Sequence, residues 1–269
     1  MDLHLDGQTA IVTGGSKGIG RETALLLAQE GCDVAIMARD KERLEAAADE
    51  IAASTGRKVF AYAGDMSVQA DVESTMAAAC EALGDIDILV TCAGSSPGGL
   101  LEGLTDDDWM SSLRLKFMGY VRACTFILPR MRERGSGSVV LVVGNDGLKS
   151  SYWELTAGVA NAADQNFAAA VAEQYGRFGI RINTVNPGPV NTDRWDGLEK
   201  RFAKDRGISQ EEARAIVLRT LPPGRICEAD EVANVVAFLA SPRASYVNGV
   251  HVTVDGGQIK GLLDAGLHV

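Results

Sequence analysis

Hydrophobic positions along this chain alternate between two rhythms: short β-branched runs, and longer stretches with an apolar residue every three to four positions. The run Thr9-Ala10-Ile11-Val12-Thr13 is apolar throughout, which predicts a strand covered on both faces. Beyond it, Ile19, Thr23, Leu26 and Leu27 fall on one face of a helix. The same reading predicts further strands over 32–38, 58–62, 86–90, 138–143, 180–185 and 250–254. It predicts helices over 41–53, 68–83, about 106–134, 155–175, about 196–205, 209–218 and 228–240. Strands separated by helices pair in parallel through right-handed crossovers. The expected fold is therefore α/β, a doubly wound parallel sheet of about seven strands with helices on both faces. No linker or repeat interrupts the alternation, so residues 1–269 are expected to form one domain. Ligands of such sheets bind at the carboxyl ends of the strands, where the strand order reverses.

Composition narrows the partners. A 46% hydrophobic content is enough for a full core. The net charge of −10 and the absence of a basic cluster argue against nucleic acid as partner. No stretch approaches the ~20 apolar residues of a membrane span, and the acidic start lacks the apolar length of a signal peptide. Five cysteines without CxxC spacing predict neither disulfides nor zinc, and no metal site is expected. The chain is expected to be cytoplasmic.

The segment Thr13-Gly14-Gly15-Ser16-Lys17-Gly18-Ile19-Gly20 joins the first strand to the first helix. Glycines at 14, 18 and 20 leave room for a tight turn, a diphosphate and close helix–strand packing. The free N–H groups and positive dipole end of the helix then face the anion. Strand, turn and helix in register predict a nucleotide site involving Gly14, Ser16, Lys17, Gly18, Ile19 and Gly20.

Four more blocks follow in order: Gly64-Asp65-Met66, Cys92-Ala93-Gly94, Asn186-Pro187-Gly188-Pro189-Val190 with Thr192, and Val254-Asp255-Gly256-Gly257. With the glycine turn, they make the chain resemble the short-chain dehydrogenase/reductase family over almost its whole length. The resemblance implies a single-domain Rossmann fold, a nicotinamide cofactor, a small-molecule substrate and a homotetramer or homodimer. It implies that Asp65 and Met66 lie by the adenine and that Ala93 and Gly94 pass under the cofactor. Pro187, Gly188, Val190 and Thr192 would hold the nicotinamide amide. The region 193–222, with Trp195 and Phe202, resembles the family's substrate lid and could line an apolar pocket. Relatives that prefer NAD carry an acid at the end of the second strand. Here Ala38 is followed by Arg39, which could pair with a 2′-phosphate, so NADP is expected and NAD is disfavoured.

The resemblance breaks where the family keeps its serine, tyrosine, lysine and asparagine. Aligned from 175–183, the tyrosine position falls on Ala157 and the lysine position on Asn161. The serine position falls on Gly144, and the asparagine position on Lys116. Alanine and glycine cannot move protons. The other two changes look reciprocal, with Lys116 offering an ammonium from the opposite wall while Asn161 supplies hydrogen bonds; alternatively, Lys116 snorkels to the surface. Tyr152 and Asp146 are the remaining candidates for proton chemistry, each with a plain structural alternative in helix packing or a turn. Three readings stay open: an NADP-dependent oxidoreductase with a non-standard site, a lyase or isomerase in the same cleft, and an inactive nucleotide-binding homologue.

Overall fold

Residues 1–263 are described by the computed structural model. The chain opens with β1 (Thr9–Thr13), α1 (Gly18–Gln29), β2 (Asp33–Ala38), α2 (Lys41–Thr55), β3 (Val59–Ala63), α3 (Gln69–Leu83) and β4 (Ile88–Thr91). The second half carries α4 (Asp106–Ser112), α5 (Met118–Arg134), β5 (Gly137–Val142), α6 (Leu155–Gly176) and β6 (Ile180–Pro187). It ends with α7 (Asp193–Arg206), α8 (Gln210–Arg219), α9 (Ala229–Ala240) and β7 (His251–Val254). The sheet order is β3-β2-β1-β4-β5-β6-β7 and every neighbouring pair is parallel. This is the Rossmann-type α/β fold that the alternation predicts.

Two cores form because each apolar strand buries side chains on both faces. One face packs Ile36, Val90 and Val140 against α1, α2 and α9; the other packs Ile11, Leu89 and Leu141 against α3, α5 and α6. The strand order reverses between β1 and β4, opening a crevice at their carboxyl ends. Thr13 is fully buried there, and its hydroxyl accepts from the N–H groups of Cys92 (3.2 Å) and Ala93 (3.3 Å), tying the two strand ends together.

Strand and helix ends shift from the predicted positions by one to three residues. The larger departure lies in the predicted helix over 106–134. A π-helical turn, Leu113–Phe117, separates α4 from α5 and carries Lys116. Such turns recur at functional sites because the extra residue redirects a side chain.

Candidate functional site

The crevice divides into an outer cleft and an inner chamber. The cleft, about 920 Å³, is lined by Gly14, Ser16, Lys17, Gly18, Ile19 and Gly20 along one side. Arg39 and Arg43 stand at one end, with Met66, Ala93, Gly94 and Thr192 also contributing. At Gly14, φ is +73°, and a Cβ would stand 2.8 Å from the Ala93 nitrogen. Only glycine keeps this cradle open. No side chain caps the start of α1, so its first N–H groups face the cleft. These features fit a dinucleotide diphosphate.

Three cations stand at the outer end, each beside an acid. Lys17 Nζ and Arg43 Nη1 each approach Asp193 at 3.4 Å, and Arg39 Nη1 lies 3.8 Å from Asp65 Oδ2. Ala38 leaves the end of β2 without an acid. Asp65 lines neither compartment; its Oδ1 accepts from the Ser67 N–H at 2.8 Å, so it also builds the turn after β3.

The inner chamber, about 150 Å³, collects Pro187, Gly188, Val190 and Thr192 together with Lys116, Asp146, Ala157 and Asn161. Lys116 does not snorkel. Only 7% of it is exposed, and its ammonium donates to the Val143 carbonyl oxygen at 3.0 Å and to Asn161 Oδ1. Burial pulls Lys116 down to about 8, and Arg194 pushes the same way, while Asp164 and Glu154 oppose. Gly144 makes the arrangement possible. Its φ is +138°, and a Cβ there would lie 2.6 Å from Asn161 Nδ2. Gly144, Lys116 and Asn161 therefore form one packed unit.

Tyr152 goes elsewhere. It lines neither compartment, packs beneath the lid with Leu198 and Ile216, and accepts from Arg206 Nη1 at 3.0 Å. The backbone of the loop before α6 turns it toward α7 instead of the chamber. Asp146 does line the chamber, but its carboxylate is paired with Lys260. Trp195 lines the chamber as well, whereas Phe202 stacks edge-on against Trp153 at 5.3 Å. The segment 193–222 comprises α7 and α8, with Trp195 Nε1 donating to Glu199 at 2.8 Å.

Several charged groups escaped the sequence reading. Arg194 lines both compartments and donates to Ser95 Oγ (3.0 Å) and the Ser96 carbonyl (3.2 Å). Glu154 is pushed up by burial, opposed by Arg194 and Lys116. Asp164, one turn beyond Asn161, is fully buried, and neither carboxylate oxygen has a hydrogen-bond partner. Burial pushes it up to about 7 against the pull of Lys116. Arg43 had a legible signal, four residues after Arg39 in the first turn of α2. The others had none, because nothing in the sequence spacing brings them to the chamber. Among the described residues no group of acids, histidines and cysteines could hold a metal ion.

A glycine cradle at a strand-order reversal, with arginines at its outer end and a polar inner chamber, defines a dinucleotide-binding α/β protein. Residues 14–258 match the family model described as enoyl-(acyl carrier protein) reductase, and the chain belongs to the short-chain dehydrogenase/reductase family. It is 30% identical over 257 residues to the 3-oxoacyl-[acyl-carrier-protein] reductase FabG of Chlamydia muridarum, covering 96% of this chain and 99% of that protein. It is 34% identical to the short-chain reductase protein NovJ of Streptomyces niveus, covering 93% of each. Among solved structures it is similar to L-sorbose reductase from Gluconobacter frateurii complexed with NADPH and L-sorbose, at 30% identity and a TM-score of 0.89, over 97% of this chain and 99% of that one. An actinorhodin polyketide ketoreductase variant with NADPH gives 30% identity and a TM-score of 0.90, over 94% and 97%.

Proposed function

We propose that this protein is an NADP-dependent oxidoreductase interconverting a small carbonyl compound and its alcohol through a non-standard active site. The observation that carries the reading is the buried Lys116 ammonium, held on Asn161 at the chamber end of a cleft shaped for a dinucleotide. The NADPH-bound relatives support the cofactor. Gly14, Ser16, Gly18, Ile19 and Gly20 would hold its diphosphate, and Lys17, Arg39 and Arg43 its 2′-phosphate. Asp65 and Met66 would flank the adenine, Ala93 and Gly94 the middle of the molecule, and Pro187, Gly188, Val190 and Thr192 the amide. NADP, when bound there, accepts or supplies a hydride.

The chain itself supplies position and charge. Lys116 spends two of its three N–H bonds on Asn161 and Val143, which leaves one for a polar atom in the chamber. A fixed, buried ammonium stabilises negative charge growing on a carbonyl oxygen far better than it would in water. Tyr152 takes no part, and Asp146 acts only through Lys260.

Exposed Val159 on α6, Phe238 on α9 and the fully exposed Tyr246 support a homodimer or homotetramer, measurable by light scattering. The five free thiols fit a reducing, cytoplasmic setting.

The test of function is absorbance at the nicotinamide band across a panel of ketones and aldehydes. NADPH consumption is expected, and Lys116→Met should lower kcat by about 10²–10⁴ while leaving NADPH affinity near wild type. Product without a change in that band would make the protein a lyase or isomerase. NADPH binding with no turnover of any carbonyl would leave a binding protein and end the oxidoreductase reading.

A further inference from the structure

With Ala157 and Gly144 in place of the family's tyrosine and serine, carbonyl reduction lacks a proton donor. A lysine from the far end of the chain enters the same chamber. Lys260 begins a short 3₁₀ turn after β7, and its side chain is only 5% exposed. Its ammonium pairs with the Asp146 carboxylate and lies 3.6 Å from Glu154 Oε2. Asp146 rests against the first turn of α6, since a Cβ on Gly158 would stand 3.3 Å from the Asp146 carbonyl oxygen. Glu154 is the residue just before that helix, three positions ahead of Ala157. Lys260 therefore bridges two carboxylates that flank the helical turn carrying Ala157.

The approach of Lys260 is braced. Asn145 Nδ2 donates to Asp255 Oδ2 (3.1 Å) and Gln258 Oε1 (2.8 Å). Lys149 Nζ donates to Asp255 Oδ2 (2.6 Å) and to the Gln258 carbonyl (3.0 Å). A long side chain held at both its base and its tip gives up little further entropy when a substrate arrives.

Building on the oxidoreductase reading, we propose that Lys260 is the proton donor and acceptor of this site, and that Asp146 and Glu154 are its positioning residues. In the reducing direction the carbonyl carbon takes the hydride, and the π-electron pair of the C=O bond moves onto oxygen. An Nζ–H bond of Lys260 breaks as the new O–H bond forms. The neutral amine left behind regains its proton from water, and alcohol oxidation runs the same step backward.

The surroundings suit the task. An ordinary lysine, near ~10.4, holds its proton too firmly for efficient acid catalysis at neutral pH. Burial pulls Lys260 down to about 7. The ion pairs with Asp146 and Glu154 hold the ammonium in place. Lys116 and Arg194 face Glu154 from the other side, and Lys149 is matched by Asp255.

Lys260→Ala, with Lys260→Met to preserve volume, should lower kcat by about 10²–10⁴ and leave the NADPH dissociation constant unchanged. Added ethylamine should restore turnover to Lys260→Ala, while Lys260→Arg, unable to release a proton, should stay inactive. NMR of ¹⁵Nζ-labelled lysine in the free protein gives a reading independent of turnover. The resonance missing from Lys260→Arg should titrate well below ~10.4. An ordinary titration there, or turnover within about threefold of wild type in Lys260→Ala, overturns the proposal and leaves the oxidoreductase reading standing. If no carbonyl consumes NADPH with the wild-type protein, both fall together.

Discussion

Adding a single methyl group at position 144 probes the rebuilt site most sharply. Gly144 sits at φ +138°, where an L side chain is strained, and a Cβ would stand 2.6 Å from Asn161 Nδ2. Holding a non-glycine residue there costs about 1–3 kcal/mol. Asn161 is 1% exposed and pinned by the Lys116 ammonium, so it cannot swing aside, and overpacking adds about 1–3 kcal/mol. Gly144→Ala should therefore lose about 2–6 kcal/mol, a large part of the ~5–15 kcal/mol typical of a native protein. Urea unfolding of wild type, Gly144→Ala, Asn161→Ala and the double variant resolves the two contributions. Asn161→Ala alone should lose about 1–3 kcal/mol, because a buried ammonium loses an acceptor. In the double variant the overpacking should return as a coupling of about 1–3 kcal/mol, while the backbone strain remains. A Gly144→Ala protein within about 0.5 kcal/mol of wild type would refute the claim that Asn161 fills this space. The same geometry means that a serine at position 144 would also meet Asn161.

Three further outcomes can be checked. Arg39→Ala should weaken NADPH about 5- to 10-fold and leave NADH unchanged, a small effect because Arg39 is 66% exposed and solvent-screened; equal losses for both coenzymes would contradict the 2′-phosphate contact. Asp164 is pushed up from 3.8 to about 7, so the folded state binds more protons than the unfolded one across that interval, and its contribution to stability is lost as pH rises through about 7. Asp164→Asn should flatten the stability–pH curve between those values, and an unchanged slope in thermal melts would count against a protonated Asp164. Lys116 is pulled down from 10.5 to about 8, so the unfolded state binds the extra proton and stability should rise with pH between about 8 and 10.5; Lys116→Met should reduce that rise, to which Lys260, pulled down to about 7, also contributes.

Much of the architecture was legible before any coordinates. Apolar runs such as 9–13 and 180–185 have strand length and no amphipathic period, and the helices between them can only be crossovers of a parallel sheet. The glycine turn and Arg39 were equally readable, because a phosphate cradle is built from consecutive residues and one strand end. The expected substitutions at 116, 144, 157 and 161 rest on spacing from matched segments alone.

What those substitutions do was decided by tertiary contacts. The bond between Lys116 and Asn161 spans 45 residues, and the pairing of Lys260 with Asp146 spans 114. No periodicity encodes such distances, so a lysine near the end of the chain looked like any solvated cation. Tyr152 shows the converse: a residue five positions from Ala157 was the natural candidate, yet the loop before α6 sends its phenol toward Arg206. The sequence by itself determined the fold and the cradle, since each follows from local pattern. Which groups stand in the emptied chamber depended on how β5, α6 and the segment after β7 pack together, since side chains from distant parts of the chain meet only there.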